Sequence, residues 1–359
     1  MTSDRIFYQQ LKHRLELETV VLATIVKVLG SAPREIGAKM AICQDGSIIG
    51  TIGGGAGEAK VITQALKVLK TGEKQLVEID LTGTPGKDIQ GVCGGKVQVW
   101  LEKWSSSAIA LIEEILELLK TGQSVKLVTP FTQDVPPYLM RYPDSPQKIT
   151  NSLYFSATSV KTNSRSPLTF TPSASCDRFV ETIEPQPILL IIGGGHVAVS
   201  ISQIANFAGF QIVVQDDRPE FITPQRFPQA LFLSQSITET LNTLTTHSLL
   251  YVALVTRGYP QDIEALKALL QYPISYQYIG AIGSQKRIRM IKQAIPIARL
   301  PNFYAPIGLD IGALTPEEIA ISICGELIKV RRGGTGLSLG ERMQQCQTPS
   351  KVHLSHISV

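Results

Sequence analysis

One stretch in the middle of the chain, residues 189–218, constrains the fold more than any other part of the sequence. Its letters, "LLIIGGGHVAVSISQIANFAGFQIVVQDDR", give in order an apolar strand, a glycine turn, an amphipathic helix, a second strand and an acidic pair. That order is typical of the first βαβ unit of a dinucleotide-binding fold. The sequence therefore predicts an α/β protein with a Rossmann-like, doubly wound parallel sheet.

The turn after the first strand consists of Gly193, Gly194 and Gly195. With Ala198 it fits the pattern G-x-G-x-x-A, in which glycines allow a tight turn and let backbone N–H groups approach a phosphate. His196 begins the helix, and it is either a polar first-turn residue or a donor to a ligand phosphate or oxo group. The pattern predicts the fold, and nucleotide binding is a separate hypothesis because fold does not fix function.

Polar residues follow the second and fourth predicted strands of this domain. Asp216 and Asp217 end the second strand, where a carboxylate would hold a ribose diol. Because Arg218 lies beside them, the sequence does not decide whether the domain would prefer NAD or NADP. Thr256 and Arg257 follow the strand-like run "LLYVALV". Because the carboxyl ends of parallel strands line the ligand crevice, we expect these two residues to face it.

The starts of two further predicted helices contain informative residues. The strand-like run "YQYIGAI" is followed by Gly283, Ser284 and Lys286 at the start of a basic helix. Basic groups at that place indicate either a second anion site or a solvated basic face. The last helix begins at "TPEE", where Thr315 is the predicted N-cap and Glu318 closes a capping box.

The N-terminal segment mixes short β-like runs with amphipathic helices, which predicts a smaller α+β domain. It contains a second glycine turn in "GTIGGGAGE", formed by Gly53, Gly54 and Gly55. No long parallel-sheet context surrounds this turn, so it is not predicted to be a second dinucleotide site. Glu58, at the start of the following helix, either complements the helix dipole or contacts a ligand.

The cysteines indicate a reducing compartment. The chain has five, an odd number for a disulfide framework, and no CxxC motif. Cys93 lies in "GVCGGK" beside Gly94, and this setting predicts an accessible thiol. The thiol either takes part in redox, metal or sulfur chemistry or has no chemical role. Cys324 shares a helical face with Ile323 and Leu327, so we expect it to be buried.

The 359 residues suffice for two or three domains. We divide them into an N-terminal domain at 1–121, a Ser/Thr/Pro-rich linker or irregular insert at 122–186, the Rossmann-like domain at 187–332 and a flexible tail at 333–359. The formal charge of +4 is spread along the chain, which argues against nucleic-acid binding. No apolar run approaches the ~20 residues of a membrane span and no secretory signal is apparent, so we expect a cytoplasmic protein.

Seven motifs, taken together and in order, resemble one family. They are "GSAPREIGAKM", "GTIGGG", "CGGKVQVWLE", "IIGGGHVA", "QDDRPEF", "YIGAIGSQKR" and "PIGLDIGALTPEEIAISICGEL". The chain resembles the xanthine dehydrogenase accessory proteins, the XdhC/CoxI type, over residues 15–103 and 187–332. The resemblance implies an N-terminal XdhC-type domain and a C-terminal Rossmann domain. It also implies that the protein binds molybdenum cofactor (molybdopterin) as cargo, protects it, and supports its sulfuration and its insertion into a molybdenum hydroxylase apoenzyme.

The resemblance also places functional residues on this chain, and two positions depart from the family pattern. Ala56 stands where many relatives carry cysteine, which weakens a two-cysteine redox scheme. Arg257 stands where many carry histidine, which puts a histidine ligand at that strand end in doubt. The matching positions are the turn 53–55 with Glu58, Cys93 with Gly94 and Gly95, the turn 193–196, the acidic pair 216–217 and the turn 283–286.

Three function classes compete for this chain. The leading one is a cofactor chaperone with no catalytic residue of its own, whose cargo would lie in a cleft between the two domains. The second is an NAD(P)-dependent oxidoreductase, although no His–Asp pair that could ionise a substrate is apparent. The third is a sulfur-transfer enzyme in which Cys93, the residue that could also contact a cofactor-bound metal, carries a persulfide from a cysteine desulfurase. A homodimer is compatible with each of them.

Overall fold

The computed structural model describes residues 4–81, 94–140, 155–156, 177–300 and 302–341. The chain divides into two compact units, residues 1–186 and 187–359, and each is described by itself. Within the described residues, no helix is long and apolar enough to cross a membrane.

The described residues of the N-terminal unit form three α-helices and two small sheets. The helices are α1 (Asp4–Leu15), α2 (Gly55–Thr71) and α3 (Ile109–Lys120). The strands of the first sheet are β1 (Val20–Leu29), β2 (Lys39–Ile42), β3 (Ile48–Gly50), β4 (Gln75–Asp80) and β5 (Lys96–Trp104). Those of the second are β6 (Val125–Pro130), β7 (Tyr138–Leu139), β8 (Phe155–Ser156) and β9 (Arg178–Ile183).

The first sheet is antiparallel, in the order β3-β2-β1-β5-β4, and helices cover both of its faces. On one face, Val21 and Ala23 of β1 belong to the same core cluster as Val61 of α2. On the other face, Val20 and Leu22 share a cluster with residues of α1 and α3. Because both faces are covered, the first eight residues of β1 are all buried, and the strand is almost continuously apolar instead of alternating. The expected smaller α+β domain is confirmed.

Parts of the interval 122–186, expected to be a linker or an irregular insert, form strands of the second sheet. β6 pairs antiparallel with β9 over six residues, although about fifty residues of chain separate them. Val125 and Ile183 of this pair lie in the same core cluster as α1 and α3, and Phe179 packs on Val26 and Trp100. Burial of these side chains explains why the two ends of the interval form strands. Residues 141–154 and 157–176 lie outside the described part of the chain.

The C-terminal unit alternates strands and helices. Its strands are β10 (Ile188–Ile192), β11 (Gln211–Gln215), β12 (Ala230–Ser234), β13 (Leu250–Leu254), β14 (Tyr276–Ala281) and β15 (Phe303–Tyr304). Its helices are α4 (His196–Phe207), α5 (Ile237–Leu244), α6 (Tyr259–Gln271), α7 (Gln285–Ala294) and α8 (Pro316–Arg332).

The six strands form one parallel sheet in the order β12-β11-β10-β13-β14-β15. This is the doubly wound order 3-2-1-4-5-6, so the predicted Rossmann-like fold is confirmed. α4 and α8 pack on one face of the sheet, and α5, α6 and α7 pack on the other. The order of the strands reverses between β10 and β13, and ligands of this fold bind at the carboxyl ends of the strands at such a point.

The last helix, α8, begins and ends as the sequence predicts. The Thr315 hydroxyl accepts a hydrogen bond from the Glu318 N–H, and Glu318 accepts one from the Thr315 N–H, which completes the capping box. Gly333 ends the helix in the left-handed conformation, with φ of 68°. Ile323, Cys324 and Leu327 are buried against α4 and the sheet, as expected from their spacing.

We expect the Cys324 thiol to resist alkylation in the native protein. Its side chain is buried, and burial raises its pKa to about 12, so the reactive thiolate is scarce at neutral pH. Timed alkylation followed by peptide mass spectrometry measures this, with protein in denaturant as the control in which all cysteines react. Labelling of Cys324 at the rate of a free peptide thiol would contradict its position. Cys93, outside the described residues, is predicted to label much earlier.

Candidate functional site

The glycine turn between β10 and α4 lies directly against the end of β13. Gly193 has φ of 108°, and a Cβ there would lie 2.6 Å from the Val255 carbonyl oxygen and 3.0 Å from the Thr256 Cα. Only glycine combines that backbone angle with so close an approach. The two strand ends that flank the reversal of strand order are therefore in backbone contact.

The next two glycines differ in what surrounds them. A Cβ on Gly194 would lie 2.7 Å from the Phe221 carbonyl oxygen, and the Gly194 carbonyl accepts a hydrogen bond of 2.8 Å from Arg226 Nη2. Gly195, the N-cap of α4, would place a Cβ in open space. His196 follows it as an exposed residue in the first turn. The accessible part of the turn is thus Gly195 with His196, at a helix N-terminus that favours anions.

Asp216, one of the two candidate ribose ligands, is buried, and both of its carboxylate oxygens accept hydrogen bonds from the protein. Its Oδ2 accepts hydrogen bonds from the Gly194 N–H at 2.7 Å and from Arg218 Nη2 at 2.9 Å. Its Oδ1 accepts from the Arg218 N–H at 3.0 Å and from Arg218 Nε at 2.9 Å. A carboxylate has about four acceptor sites, so this one has none left for a ribose diol. Burial favours a raised pKa, but these hydrogen bonds outweigh it and lower the Asp216 pKa to about 2.

Asp217 and Arg257 join the ends of β11 and β13 through an exposed ion pair. The pair is bidentate, with Nη1–Oδ1 at 2.7 Å and Nη2–Oδ2 at 2.8 Å. Exposed ion pairs contribute little to stability because water solvates both partners when they separate. The Arg257 guanidinium is therefore accessible to an anion that competes with Asp217.

Thr256 lies at the centre of a buried network beneath Arg257. Its hydroxyl lies 2.6 Å from Asp262 Oδ1 and 2.8 Å from Arg287 Nη2, and Arg287 Nε donates to Asp262 Oδ2 at 2.6 Å. The network joins the end of β13 to the first turns of α6 and α7. Asp262 is fully buried and Thr256 nearly so, so these groups fix the strand end and do not present a charge to a ligand.

These strand ends surround a cleft of about 340 Å³. It lies at the carboxyl ends of β10, β11 and β13 and reaches α5 and α6, which is where the sequence placed the ligand crevice. Gln215 and Gln261 supply amide groups, and Glu264 supplies a carboxylate. The lining residues are Ile192, Gly193, Gln215, Asp216, Asp217, Gln235, Ser236, Ile237, Thr238, Thr256, Arg257, Gln261, Glu264 and Ala265.

At the start of α7, Gly283, Ser284 and Lys286 do not form the anion site that the sequence indicates as one alternative. The Ser284 hydroxyl accepts a hydrogen bond from the Arg287 N–H at 3.4 Å and so caps α7. Lys286 is exposed and does not line the cleft, and neither does Gly283. The basic residue of this helix that reaches the strand ends is Arg287, through the Thr256 network.

The N-terminal glycine turn is exposed and closed on itself by Glu58. Glu58 Oε2 accepts hydrogen bonds from Thr51 Oγ1 at 2.8 Å, from the Gly54 N–H at 3.0 Å and from the Ile52 N–H at 3.3 Å. Gly54 and Gly55 have positive φ and open space at their Cβ positions, whereas a Cβ on Gly53 would meet Pro33 at 2.6 Å. In this arrangement Glu58 satisfies backbone donors at the start of α2.

Cys93 lies outside the described residues, so its role as a metal contact stays a prediction. Of the glycines after it, Gly94 donates its N–H to the Leu81 carbonyl at 3.1 Å. A Cβ on Gly95 would lie 2.3 Å from the Ser31 carbonyl oxygen, so glycine is needed there for chain packing. Among the described residues, no cluster of three or more His, Cys, Asp or Glu side chains could hold a metal ion.

Several residues of the site were not predicted from the sequence. The sequence predicts only an effect of Arg218 on NAD or NADP preference, and it assigns no role to Arg226 or Asp262. The one available signal was Asp262 in the first turn of a helix after a strand, where an acidic residue is common for dipole reasons alone. Their hydrogen bonds join different elements, which spacing along the chain does not show.

Comparison with known families finds one match in each of the two compact units. The XdhC and CoxI family matches residues 14–80, and the XdhC Rossmann domain matches residues 189–327. The chain belongs to the XdhC and CoxI family. The glycine turn of β10, the acidic pair after β11 and Thr256 with Arg257 all lie within its Rossmann domain.

Three relatives place this family member among named proteins. A probable xanthine dehydrogenase subunit from Bacillus subtilis is 29% identical over 88% of this chain and 94% of its own length. A xanthine dehydrogenase from Bacillus halodurans, known from a crystal structure, shares 26% sequence identity with this chain. The two structures have a TM-score of 0.66, and the match covers 91% of this chain and 96% of that one. The molybdenum cofactor insertion chaperone PaoD of Escherichia coli is 34% identical over 24% of this chain and 27% of its own length.

We expect Gly193→Ala to lower the free energy of unfolding by about 3 kcal/mol, because the added Cβ collides with the end of β13 at a strained φ. Gly195→Ala is the matched control, since its Cβ enters open space, and it should cost less than about 1 kcal/mol. Urea unfolding followed by circular dichroism measures both variants. Equal destabilisation by the two would show that the turn does not pack as described.

Asp216 makes the stability of the protein depend on pH in acid. Its pKa is about 2 in the folded state against 3.8 as the ordinary value, so the folded state binds fewer protons. This contribution is complete above pH 3.8 and is lost as the pH falls through 2, and it amounts to about 2 kcal/mol. Unfolding of the wild type and of Asp216→Asn, measured from pH 6 to about pH 2, should converge in acid. A constant gap between the two curves would contradict the pairing.

Proposed function

We propose that this protein is an accessory factor that binds molybdenum cofactor and helps to insert it into a molybdenum hydroxylase apoenzyme. The observation that carries the proposal is the open helix start at Gly195 and His196. These two residues do not line the cleft, but they directly follow Gly193 and Gly194 in the same turn, and Gly193 does line it. A phosphate accepts hydrogen bonds from such a helix start, and molybdopterin carries a phosphate at one end. Similarity to an insertion chaperone and to a probable component of xanthine dehydrogenase supports the choice of cargo.

The cleft beside the turn suits the other end of the cargo. A pterin ring presents N–H groups and carbonyl oxygens along its edge, and amide and carboxylate side chains bind such an edge by hydrogen bonds. Gln215, Gln261 and Glu264 line the cleft and supply both donors and acceptors. The Arg257 guanidinium, paired only with an exposed carboxylate, can bind an anionic group of the cargo.

The same geometry argues against the NAD(P)-dependent oxidoreductase. Of the two candidate ribose carboxylates, Asp216 is saturated by Arg218 and Gly194. Asp217 is held by Arg257 in a bidentate pair. No histidine is among the residues that line the described cleft, and the titratable groups there are Asp216, Asp217, Arg257 and Glu264. A hydride-transfer enzyme needs a proton donor or acceptor beside the reacting carbon. A cargo protein needs none.

The handling of sulfur is the finer part of the proposal, and it rests on Cys93. Gly94 and Gly95 follow Cys93 directly, so we expect its thiol to be accessible to a large ligand. The thiolate is the form that binds metals and carries persulfide sulfur. In this scheme Cys93 contacts the metal or its sulfur on the bound cofactor, and a cysteine desulfurase supplies the sulfur. The apoenzyme of a molybdenum hydroxylase then receives the cargo.

Replacing Gly195 with Val should weaken cofactor binding by about 2 kcal/mol or more, which is the scale of a lost charge-assisted hydrogen bond. The branched side chain would fill the space through which a phosphate reaches the backbone. Calorimetry with molybdenum cofactor, and separately with NAD and NADP, measures the loss. Gly195→Ala serves as the graded control, and Gly54→Ala controls for the other glycine turn. Unchanged binding of every ligand by folded Gly195→Val would refute the site.

Cofactor-loaded protein should activate a molybdenum hydroxylase apoenzyme without consuming NAD(P)H. The assay compares free cofactor, loaded wild type and loaded Cys93→Ser, under conditions in which free cofactor decays. Cys93→Ser should hold its cargo but lose much of the activation, because the thiol is needed for the metal or its sulfur. Equal activation by free cofactor and loaded wild type would sink the insertion role. Substrate-dependent NADH oxidation by the protein alone would favour the oxidoreductase.

A further inference from the structure

The ion pair between Asp217 and Arg257 bridges the two strands on either side of β10. Asp217 follows β11 and Arg257 follows β13, and β10 separates these two strands in the sheet. Both residues line the cleft. Hydrogen bonds of 2.7 and 2.8 Å join the two terminal nitrogens of the guanidinium to the two carboxylate oxygens. The pair is therefore part of the surface that a ligand of the cleft meets.

The adjacent carboxylates Asp216 and Asp217 are held in very different ways. Asp216 is buried and accepts four hydrogen bonds from Gly194 and Arg218. Asp217 is 58% exposed, and in the described part of the chain its side chain and that of Arg257 hydrogen-bond only to each other. Opening this pair breaks no other hydrogen bond, and water solvates both partners once they separate. Of the two carboxylates, Asp217 is the one that can leave its partner and return.

The closed pair keeps anions away from the cation of the cleft. Among the residues that line the described cleft, Arg257 alone carries a positive charge. Asp217 neutralises that charge and fills the fork of the two terminal nitrogens. An incoming oxyanion therefore meets a carboxylate, and it has to displace Asp217 to obtain the bidentate contact that a guanidinium offers.

A competitor on the same chain affects both binding and release. It acts at a high and constant local concentration, and the apparent affinity of Arg257 for an anion falls with the fraction of molecules in which the pair is open. A small oxyanion without other contacts binds weakly under this competition, whereas a larger ligand that also contacts the rest of the cleft displaces the carboxylate. When such a ligand leaves, the carboxylate is still beside the guanidinium and hinders rebinding.

We propose that Asp217 determines both the specificity of the cleft and the release of its ligand. It occupies Arg257 in the empty protein, is displaced by the anionic group of the cargo, and pairs with Arg257 again as the cargo leaves. The identity of the cargo rests on the proposed function, whereas the competition for Arg257 applies to any oxyanion. Removal of the Asp217 carboxylate should therefore strengthen binding, which is the opposite of the usual effect of substitution in a binding site.

Calorimetric titration of the full chain with inorganic pyrophosphate, at constant ionic strength, tests the competition. Asp217→Asn should bind pyrophosphate roughly tenfold more tightly than wild type, because the competing pair and the repulsion by a nearby carboxylate are both lost. Glu220→Gln is the matched control, since it removes an exposed carboxylate that lies three residues away and does not line the cleft. It should change the affinity by less than about twofold, because water and salt screen its charge.

A double-mutant cycle separates competition for Arg257 from a general effect of charge. In an Arg257→Gln background, Asp217→Asn should strengthen pyrophosphate binding by less than about threefold or leave it undetectable, because no guanidinium remains to be released. Equal gains in the two backgrounds would overturn the inference. Asp217→Asn that binds pyrophosphate no better than wild type would overturn it as well.

Release is measured on protein that has been loaded with molybdenum cofactor and then diluted. Asp217→Asn should lose its cofactor about threefold more slowly than wild type or slower still, because differences in affinity between variants of one site lie mostly in the dissociation rate. Glu220→Gln should match wild type. Release from Asp217→Asn at the wild-type rate would overturn the role in release. Wild type that holds no cofactor would refute the proposed function and the release step with it, whereas the pyrophosphate cycle still decides whether Asp217 competes for Arg257.

Discussion

The C-terminal domain depends on the contact between two backbones at the reversal of strand order. Gly193 brings the end of β10 against the end of β13, and no larger residue would allow that approach. The Gly194 N–H then donates to Asp216 at the end of β11, which ties a third strand to the same point. Because these two glycines are occupied by chain packing, Gly195 is left with open space and a helix N-terminus.

The polar residues of the crevice divide into two groups with different tasks. One group is internal: Arg218 saturates Asp216, and Arg287 joins Asp262 to Thr256. The two carboxylates are buried and the arginines that pair with them are half-buried, so these mutually satisfied groups hold the loops without offering charge to a ligand. The other group is accessible and consists of the helix start, the side chains of the cleft and the exposed Arg257 pair. A rigid base below adaptable contacts suits a protein that holds a ligand and later releases it.

The sequence predicted those features that depend on local spacing. The glycine turn with its strands and helix, the capping box of α8 and the burial of Cys324 all follow from residues within a few positions of one another. Features that join distant residues were missed. β6 and β9 are each short and ordinary in composition, and only their pairing across the intervening chain makes them strands. Ser284 was a ligand candidate by position, but its hydroxyl caps α7, a use that spacing alone did not separate from the other.

The closure of the N-terminal turn by Glu58 gives the two glycine turns opposite electrical characters. At the α4 turn the carboxylate that accepts from the Gly194 N–H, Asp216, is itself paired with Arg218. Within the described part of the chain, no acidic side chain is bonded to Gly195 or His196. At α2 a carboxylate already lies against the Gly54 N–H, so the partial positive charge of that helix end is neutralised. A phosphate near residues 53–55 would meet a negative charge and would have to displace it. One helix start attracts anions, and the other is better matched to neutral or cationic groups.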